Sequence, residues 1–218
     1  MGKRNNSIMA RLLPLFPLQL VVFPGSAIPL HVFEERYKEM VGEAEAAGTE
    51  FGIVLARDGG IMNAGCTVVV ESVLKRYPDG RFDVLTRGRR RFVIQSLNQD
   101  KEYLRGEVDY YSDDDAESAS PELRKQAILA LERIREALAD ADAAEISPDL
   151  DHPFLSFQLA EAVDDLDFRN VLQRSRSEAE RLRAFAGFTE EYVARKQYAA
   201  KMKRAAPMNG FGHKPPTE

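Results

Sequence analysis

Four prolines, Pro14, Pro17, Pro24 and Pro29, punctuate an otherwise apolar opening that runs from Ala10 to Leu30. Each fixes φ and removes a backbone donor, so no helix can run through this stretch. What remains open to it is short extended pieces. The pattern predicts strands over Leu12–Leu15, Leu20–Phe23 and Ala27–Leu30, interrupted at Pro17 and at Pro24-Gly25.

The next segment changes period. Phe33, Tyr37, Met40, Val41 and Ala44 fall on one helical face, which predicts a helix from Phe33 to Ala47 stopped by Gly48. A short apolar strand, Phe51–Ala56, leads to the Asp58-Gly59-Gly60 turn. Residues 65–110 are the clearest β region. Val-rich Gly65–Arg76 reaches the turn signal Pro78-Asp79-Gly80, Arg81–Arg87 returns as its hairpin partner, and Phe92–Leu97 and Tyr103–Tyr110 follow.

Beyond the acidic run Ser112–Ser118 no strand signal survives. Ser120-Pro121 reads as an N-cap followed by proline at the first helical position, ahead of the stripe Leu123, Ala127, Leu131, Ile134 and Leu138. Further helices are predicted from Pro153 to Val163, from Asp167 to Leu172, and from a Ser177–Glu180 capping box past Lys201. The layout is therefore α+β, with strands first and helices second. The expected organisation is a β domain over 10–112, a helical subdomain over 119–204, and flexible tails at 1–9 and 205–218.

Chemistry is sparse. A net charge of −5 argues against a dedicated nucleic-acid binder. The single cysteine, Cys66, excludes an intramolecular disulfide and a cysteine-based zinc site, fits a reducing cytoplasm, and reads as a small buried hydrophobe within Cys66–Val70. No apolar run reaches the roughly 18 residues that a membrane span needs. No phosphate-binding Gly-x-x-x-x-Gly-Lys loop, dinucleotide fingerprint or Gly-x-Ser-x-Gly elbow occurs. His31, His152 and His213 stand far apart, so no metal site and no cofactor is expected.

The motifs converge on one family. Leu13-Pro14-Leu15-Phe16-Pro17-Leu18, Val22-Phe23-Pro24-Gly25, Ile28-Pro29-Leu30 and Phe33-Glu34-x-Arg36-Tyr37 resemble, in order and spacing, the opening of the Lon protease N-terminal domain. Phe51–Leu55, Gly65-Cys66, Asp79–Phe82, Arg87–Phe92 and a closing Glu180-Arg181-Leu182 extend the resemblance over about residues 10–190. It implies a PUA-like β pseudo-barrel with one inserted helix, followed by a helical bundle. It also implies a substrate-recognition role, with the chain stopping near where the family's ATPase and Ser-Lys peptidase parts would begin, so that it is not itself an enzyme. The same domain serves as a scaffold in the ubiquitin-ligase adaptor cereblon.

Pro24, Gly25, Phe33, Glu34, Arg36, Tyr37, Gly88 and Phe92 are the motif residues, and each has a structural reading. Pro24-Gly25 makes a tight turn, Phe33 and Tyr37 pack the helix onto the sheet, Glu34 and Arg36 are partners or surface charges, and Gly88 relieves a bend. Arg87, Arg89, Arg90 and Arg91 form the densest basic cluster and the candidate binding residues. Strand alternation would set Arg87, Arg89 and Arg91 on one face and Arg90 on the other. They read either as a solvated edge that blocks sheet pairing or as an anion or polypeptide contact. The expected partner is a polypeptide. The alternative is a PUA-like binder of RNA or a small ligand through these arginines and the basic residues Arg195–Arg204. Phe185, Phe188, Tyr192 and Tyr198 line the last helix, the first two for core packing, and self-association through this helix as a homodimer is the remaining reading.

Overall fold

A computed structural model describes residues 12–114, 119–138 and 147–205. The expected tails, apart from Ala205, and residues 115–118 of the acidic run lie outside them. The elements run β1 (Leu13–Leu18), β2 (Ala27–Val32), α1 (Glu35–Ala47), β3 (Phe51–Arg57), β4 (Gly60–Arg76), β5 (Phe82–Asn98), β6 (Arg105–Tyr111), α2 (Pro121–Ala137), α3 (Leu155–Ala160), α4 (Leu166–Arg174) and α5 (Glu178–Ala205). They group into two compact units. One comprises the chain up to Asp114 together with Asp164–Arg176, and the other comprises Asp115–Val163 with Ser177 onward. The helical half thus lends α4 to the β unit.

In the β unit the six strands are ordered β2-β5-β4-β3-β1-β6, and a further β5–β6 pairing closes β5, β4, β3, β1 and β6 into a ring. This is the pseudo-barrel. Its closure depends on the length of β5: residues 82–87 pair with β2, while residues 91–98 pair with β6. β4 and β5 form one long hairpin around Tyr77–Arg81, where Gly80 takes φ 83° and its N–H donates to the Tyr77 carbonyl at 3.0 Å.

Pro17, expected as a break, lies inside β1, opposite Val54 in a parallel ladder with β3. The Leu15 N–H donates to Leu104 on the β6 side at 2.8 Å. Alternation turns residue 17 to that same side, where β6 pairing has already ended at Leu13 and Pro14. The missing donor of Pro17 therefore interrupts no ladder.

Residues 20–23 form no strand. Val21, Val22 and Phe23 are nonetheless fully buried. Their carbonyls are satisfied by α4: Arg169 Nη2 donates to Val21 O at 3.0 Å and Gln173 Nε2 to Val22 O at 2.7 Å. Side chains from 150 residues downstream replace the strand partner that local pattern implied.

The main core packs α1, through Tyr37, Met40, Val41 and Ala44, against Phe16, Phe51, Ile53, Cys66, Val68 and Val84 of the sheet. Phe16 and Tyr37 stack with ring centroids 4.1 Å apart. Gly48, at φ 61°, ends α1 and donates its N–H to Glu45 O at 3.3 Å. A smaller cluster joins Leu13, Leu15, Val54 and Phe92. The Phe92 ring lies over two glycines, and a Cβ on Gly52 or Gly65 would come within 2.6 or 2.5 Å of its Cζ.

In the helical unit α2 packs mainly on α5, with α3 against both. Ser120 caps α2 by accepting from Leu123 N–H at 3.3 Å, with Pro121 in the first turn. Ser177 Oγ accepts from Glu180 N–H at 3.2 Å at the start of α5. Along α5, Phe185 and Tyr192 are buried, Phe188 is half-buried, and Tyr198 is exposed. Among the described residues no helix is long and apolar enough to cross a membrane.

Candidate functional site

Among the described residues, β2 sits at the free end of the strand order and pairs only with β5. Gly88 N–H donates to Ser26 O at 2.9 Å. Strand alternation then sends the backbone groups of Ile28, Leu30 and Val32 toward β5 and those of Ala27, Pro29 and His31 toward the side without a strand. That side offers three carbonyls and two N–H groups, since Pro29 has none. Proline at such a position is a common way to blunt an edge against uncontrolled pairing while leaving it partly open.

The outward side chains of this edge are Ala27, Pro29 and His31, all exposed, whereas Leu30 and Val32 point into the core. Across the sheet, Pro29 lies opposite Leu85 and His31 opposite Asp83. His31 Nδ1 lies 2.5 Å from Asp83 Oδ1, and Tyr77 O–H donates to Asp83 Oδ2 at 2.8 Å. These two hydrogen bonds, that from His31 first, hold the Asp83 carboxyl below its ordinary range. The His31 ring stacks on Phe33 at 5.9 Å and meets the edge of Tyr77 at 5.8 Å. Lys75 Nζ covers the other ring at 4.5 Å from the Tyr77 centroid.

Phe33 is the residue that departs most from expectation. It lies before the first turn of α1 and is 58% exposed, so it does not pack the helix onto the sheet, whereas Tyr37 does, with Met40, Val41 and Ala44. Leu74, on β4 near the hairpin tip, is 57% exposed. Phe33, stacked on the His31 ring, sets an exposed aromatic side chain at the end of an open backbone edge. Exposed apolar surface of this kind marks interaction sites.

The remaining motif residues brace this edge. Gly25 has φ 89° and its N–H donates to Gly88 O at 2.9 Å, which ties the Pro24-Gly25 turn to β5. At Gly88 a Cβ would stand 2.0 Å from Phe23 O, so the glycine permits close backbone approach. Glu34 accepts from Arg36 Nη2 at 2.7 Å, and the Arg36 guanidinium covers the Tyr37 ring at 4.6 Å.

The arginine run does not form one patch. Arg87 is ion-paired with Glu71 and donates to Gly25 O at 2.9 Å. Arg89 is exposed. Arg90 pairs with Glu50 at 2.9 Å and stacks over Tyr110 at 3.9 Å. Arg91 is buried, 3% exposed, and pairs with Asp113 at 2.5 Å. Strict alternation, which set Arg87, Arg89 and Arg91 on one face, fails here. Between Cys66↔Arg91 and Val68↔Gly88, β5 advances three residues while β4 advances two, and this bulge turns Arg91 inward next to the buried Phe92.

Two buried polar centres left no signal in the sequence. Arg91 Nη1 donates to Gln173 O at 3.0 Å and to Ser175 O at 2.5 Å, and Tyr111 O–H also donates to Gln173 O, at 2.9 Å, so the end of α4 is held by β5 and β6. In the helical unit Arg181, fully buried, pairs with Glu178 at 2.7 Å. Its Nε donates to Ser156 Oγ at 2.8 Å, and Ser156 O–H donates to Glu178 Oε2 at 2.6 Å. Arg181 is the middle residue of the closing Glu180-Arg181-Leu182 motif, and only its place in that motif hinted at a role.

The fold defines the class: a PUA-like α+β module built on a closed ring of strands. Residues 12–171 match the family model of the ATP-dependent protease La (LON) substrate-binding domain, and the chain belongs to that family. A Lon N-terminal domain protein from Xanthomonas campestris, known from its crystal structure, is 30% identical with a TM-score of 0.66, over 81% of this chain and 98% of that one. The N-terminal domain of Mycobacterium avium complex Lon protease shares the fold at 17% identity, with a TM-score of 0.57 over 84% of this chain and 100% of that one. The Lon proteases of Porphyromonas gingivalis and Flavobacterium johnsoniae are each 28% identical, over 44% and 50% of this chain. These matches cover 12% and 14% of the proteases' own length.

Proposed function

We propose that this chain is a polypeptide-recognition module, an adaptor that holds an extended segment of another protein and itself transforms nothing, working in the cytoplasm. Membership in the Lon substrate-binding family supports the polypeptide partner, and the matched region is that domain. The observation that carries the mode of binding is the β2 edge. Its outward carbonyls at Ala27, Pro29 and His31 have the spacing of a strand, and the exposed Phe33 ring stacks on His31 at its end. Strand addition supplies affinity through the main chain and selects side chains through adjoining apolar surface.

The test is binding of reduced, carboxymethylated α-lactalbumin, a permanently unfolded chain, to the whole protein. Phe33→Asp should weaken binding about tenfold without lowering stability, because the side chain is exposed in the free protein. Unchanged affinity in this variant removes the proposed surface. Binding of RNA with a steep salt dependence, in place of the unfolded chain, removes the polypeptide reading altogether.

A further inference from the structure

A second concavity lies on the other half of β5. It has a volume of about 320 Å³ and is lined by Val93 and Gln95 of β5, Asp109 and Tyr111 of β6, and Arg174 and Arg176 at the end of α4. That volume is at the lower end for small-ligand sites. Tyr110, also on its wall, is held by the Arg90 guanidinium stacked at 3.9 Å.

Two of these side chains are fixed by their neighbours. Arg176 pairs with Asp114 at 2.6 Å and donates from Nε to Ser112 O at 3.3 Å, and Tyr111 is anchored through its hydroxyl to Gln173 O. Arg174 and Asp109 differ. Both are exposed, and among the described residues neither side chain forms an ion pair or a hydrogen bond, with each other or with anything else. One pocket therefore holds one uncommitted guanidinium and one uncommitted carboxylate, with Gln95 and Val93 also on its lining.

We infer that this pocket binds an α-carboxylate with its neighbouring nitrogen, as carried by the C-terminal residue of a polypeptide or by a free amino acid. Arg174 presents the planar fork that matches a carboxylate in two parallel hydrogen bonds. Asp109 accepts from the N–H or ammonium attached to the same Cα. Val93 and the Tyr111 ring offer apolar contact to the side chain. The chemistry disfavours a dianionic phosphate monoester, which would satisfy Arg174 but would bring two negative charges and no hydrogen-bond donor to the Asp109 carboxylate. This inference deepens the polypeptide reading by naming which end of a chain is recognised. The pocket and the β2 edge lie on opposite halves of β5, so either can fail without the other.

Fluorescence anisotropy on the full chain tests it, using an N-terminally fluorescein-labelled pentapeptide ending in leucine, as free acid and as C-terminal amide. The acid should bind about tenfold more tightly than the amide. Arg174→Gln should abolish that difference, and Asp109→Asn should weaken acid and amide alike while preserving their ratio. Both positions are exposed, and unchanged circular dichroism confirms folding. Free leucine that displaces the peptide at comparable concentration assigns the site to an amino acid, and displacement only at large excess assigns it to a chain end; both support the α-carboxylate. Equal affinity for acid and amide, no measurable binding, or an Arg174→Gln protein that keeps the ratio overturns it. Phe33→Asp should leave the ratio untouched, so failure at the β2 edge is read separately.

Discussion

Arg91, from a run of arginines that reads as surface, is buried and donates to the Gln173 carbonyl at 3.0 Å, capping α4 from strand β5. A cation at a helix C-terminus interacts favourably with the exposed carbonyls and the helix dipole. Here the same guanidinium also meets Asp113 and the faces of Tyr111 at 4.7 Å.

Replacing it should be costly. Arg91→Met removes the cap and takes the paired cation from the Asp113 carboxylate, itself 13% exposed. We expect a loss of about 3 kcal/mol in urea unfolding, because breaking a buried pair strands the other charge. The exposed Arg89→Met should shift stability by no more than about 0.5 kcal/mol. Equal effects of the two variants would contradict the buried assignment.

Glycine positions should divide sharply. Gly88→Ala places a Cβ 2.0 Å from Phe23 O, a backbone atom that cannot swing aside, and should destabilise by about 2 kcal/mol or more. Gly42 lies within α1 with nothing within 4 Å of a built Cβ, and Gly42→Ala should stabilise by about 0.5–1 kcal/mol through helix propensity. Thermal unfolding of the two variants reads the opposite signs directly.

Alkaline pH should weaken the β unit. Burial pushes the Cys66 thiol from its ordinary 9.0 up to about 12. The native state keeps that proton where the unfolded chain gives it up. The contribution is therefore complete below pH 9 and declines, by about 1.4 kcal/mol per pH unit, up to about pH 12. Burial raises Tyr37, Tyr103 and Tyr111 too, adding losses of the same sign. Cys66→Ala should flatten the slope of stability against pH above 9. The native thiol should also resist iodoacetamide at pH 8 until urea is added.

The buried centre of the helical unit predicts a coupling. Glu178→Gln should cost about 3 kcal/mol by removing the carboxylate charge paired with the fully buried Arg181. Combining it with Arg181→Met should recover much of that loss, and a double-mutant cycle in guanidinium measures the interaction. Additive costs would mean that the two groups are not coupled.

Pro29→Val restores an outward N–H to the β2 edge. Self-association should rise, visible as a weight-average mass in light scattering that climbs more steeply with concentration than that of the parent. No change would indicate that the edge is not accessible to a second strand.

Legibility in the sequence followed the range of the forces involved. The Pro78-Asp79-Gly80 turn, the Ser120-Pro121 cap and the Gly48 stop rest on local backbone chemistry and stand where the pattern predicted. The closed ring was legible only through the family motifs, since no strand periodicity encodes which edges meet. What escaped depends on distant partners. Leu20–Phe23 looks like a strand because its residues are buried, but its carbonyls are bound by Arg169 and Gln173 of α4. Arg91 looks exposed because alternation is assumed, and one extra residue in β5 reverses it. Phe33 matches a helical face yet stands ahead of the helix, and nothing in its neighbours' identities says so. Of the candidate site, the motif residues were visible, but their meeting beside an unpaired edge was not.

α4 is separated from the strands it completes by the whole of α2 and α3. Synthesis from the N-terminus delivers every strand of the ring by residue 111, yet the carbonyls of Val21 and Val22 and the guanidinium of Arg91 must wait for residues 169–175. The nascent β ring therefore emerges from the ribosome with two buried acceptors unsatisfied and with Arg91 lacking its acceptors on α4, and its final closure is timed by the helices that follow it. A polypeptide truncated at Asp114 carries all six strands and still lacks the keystone.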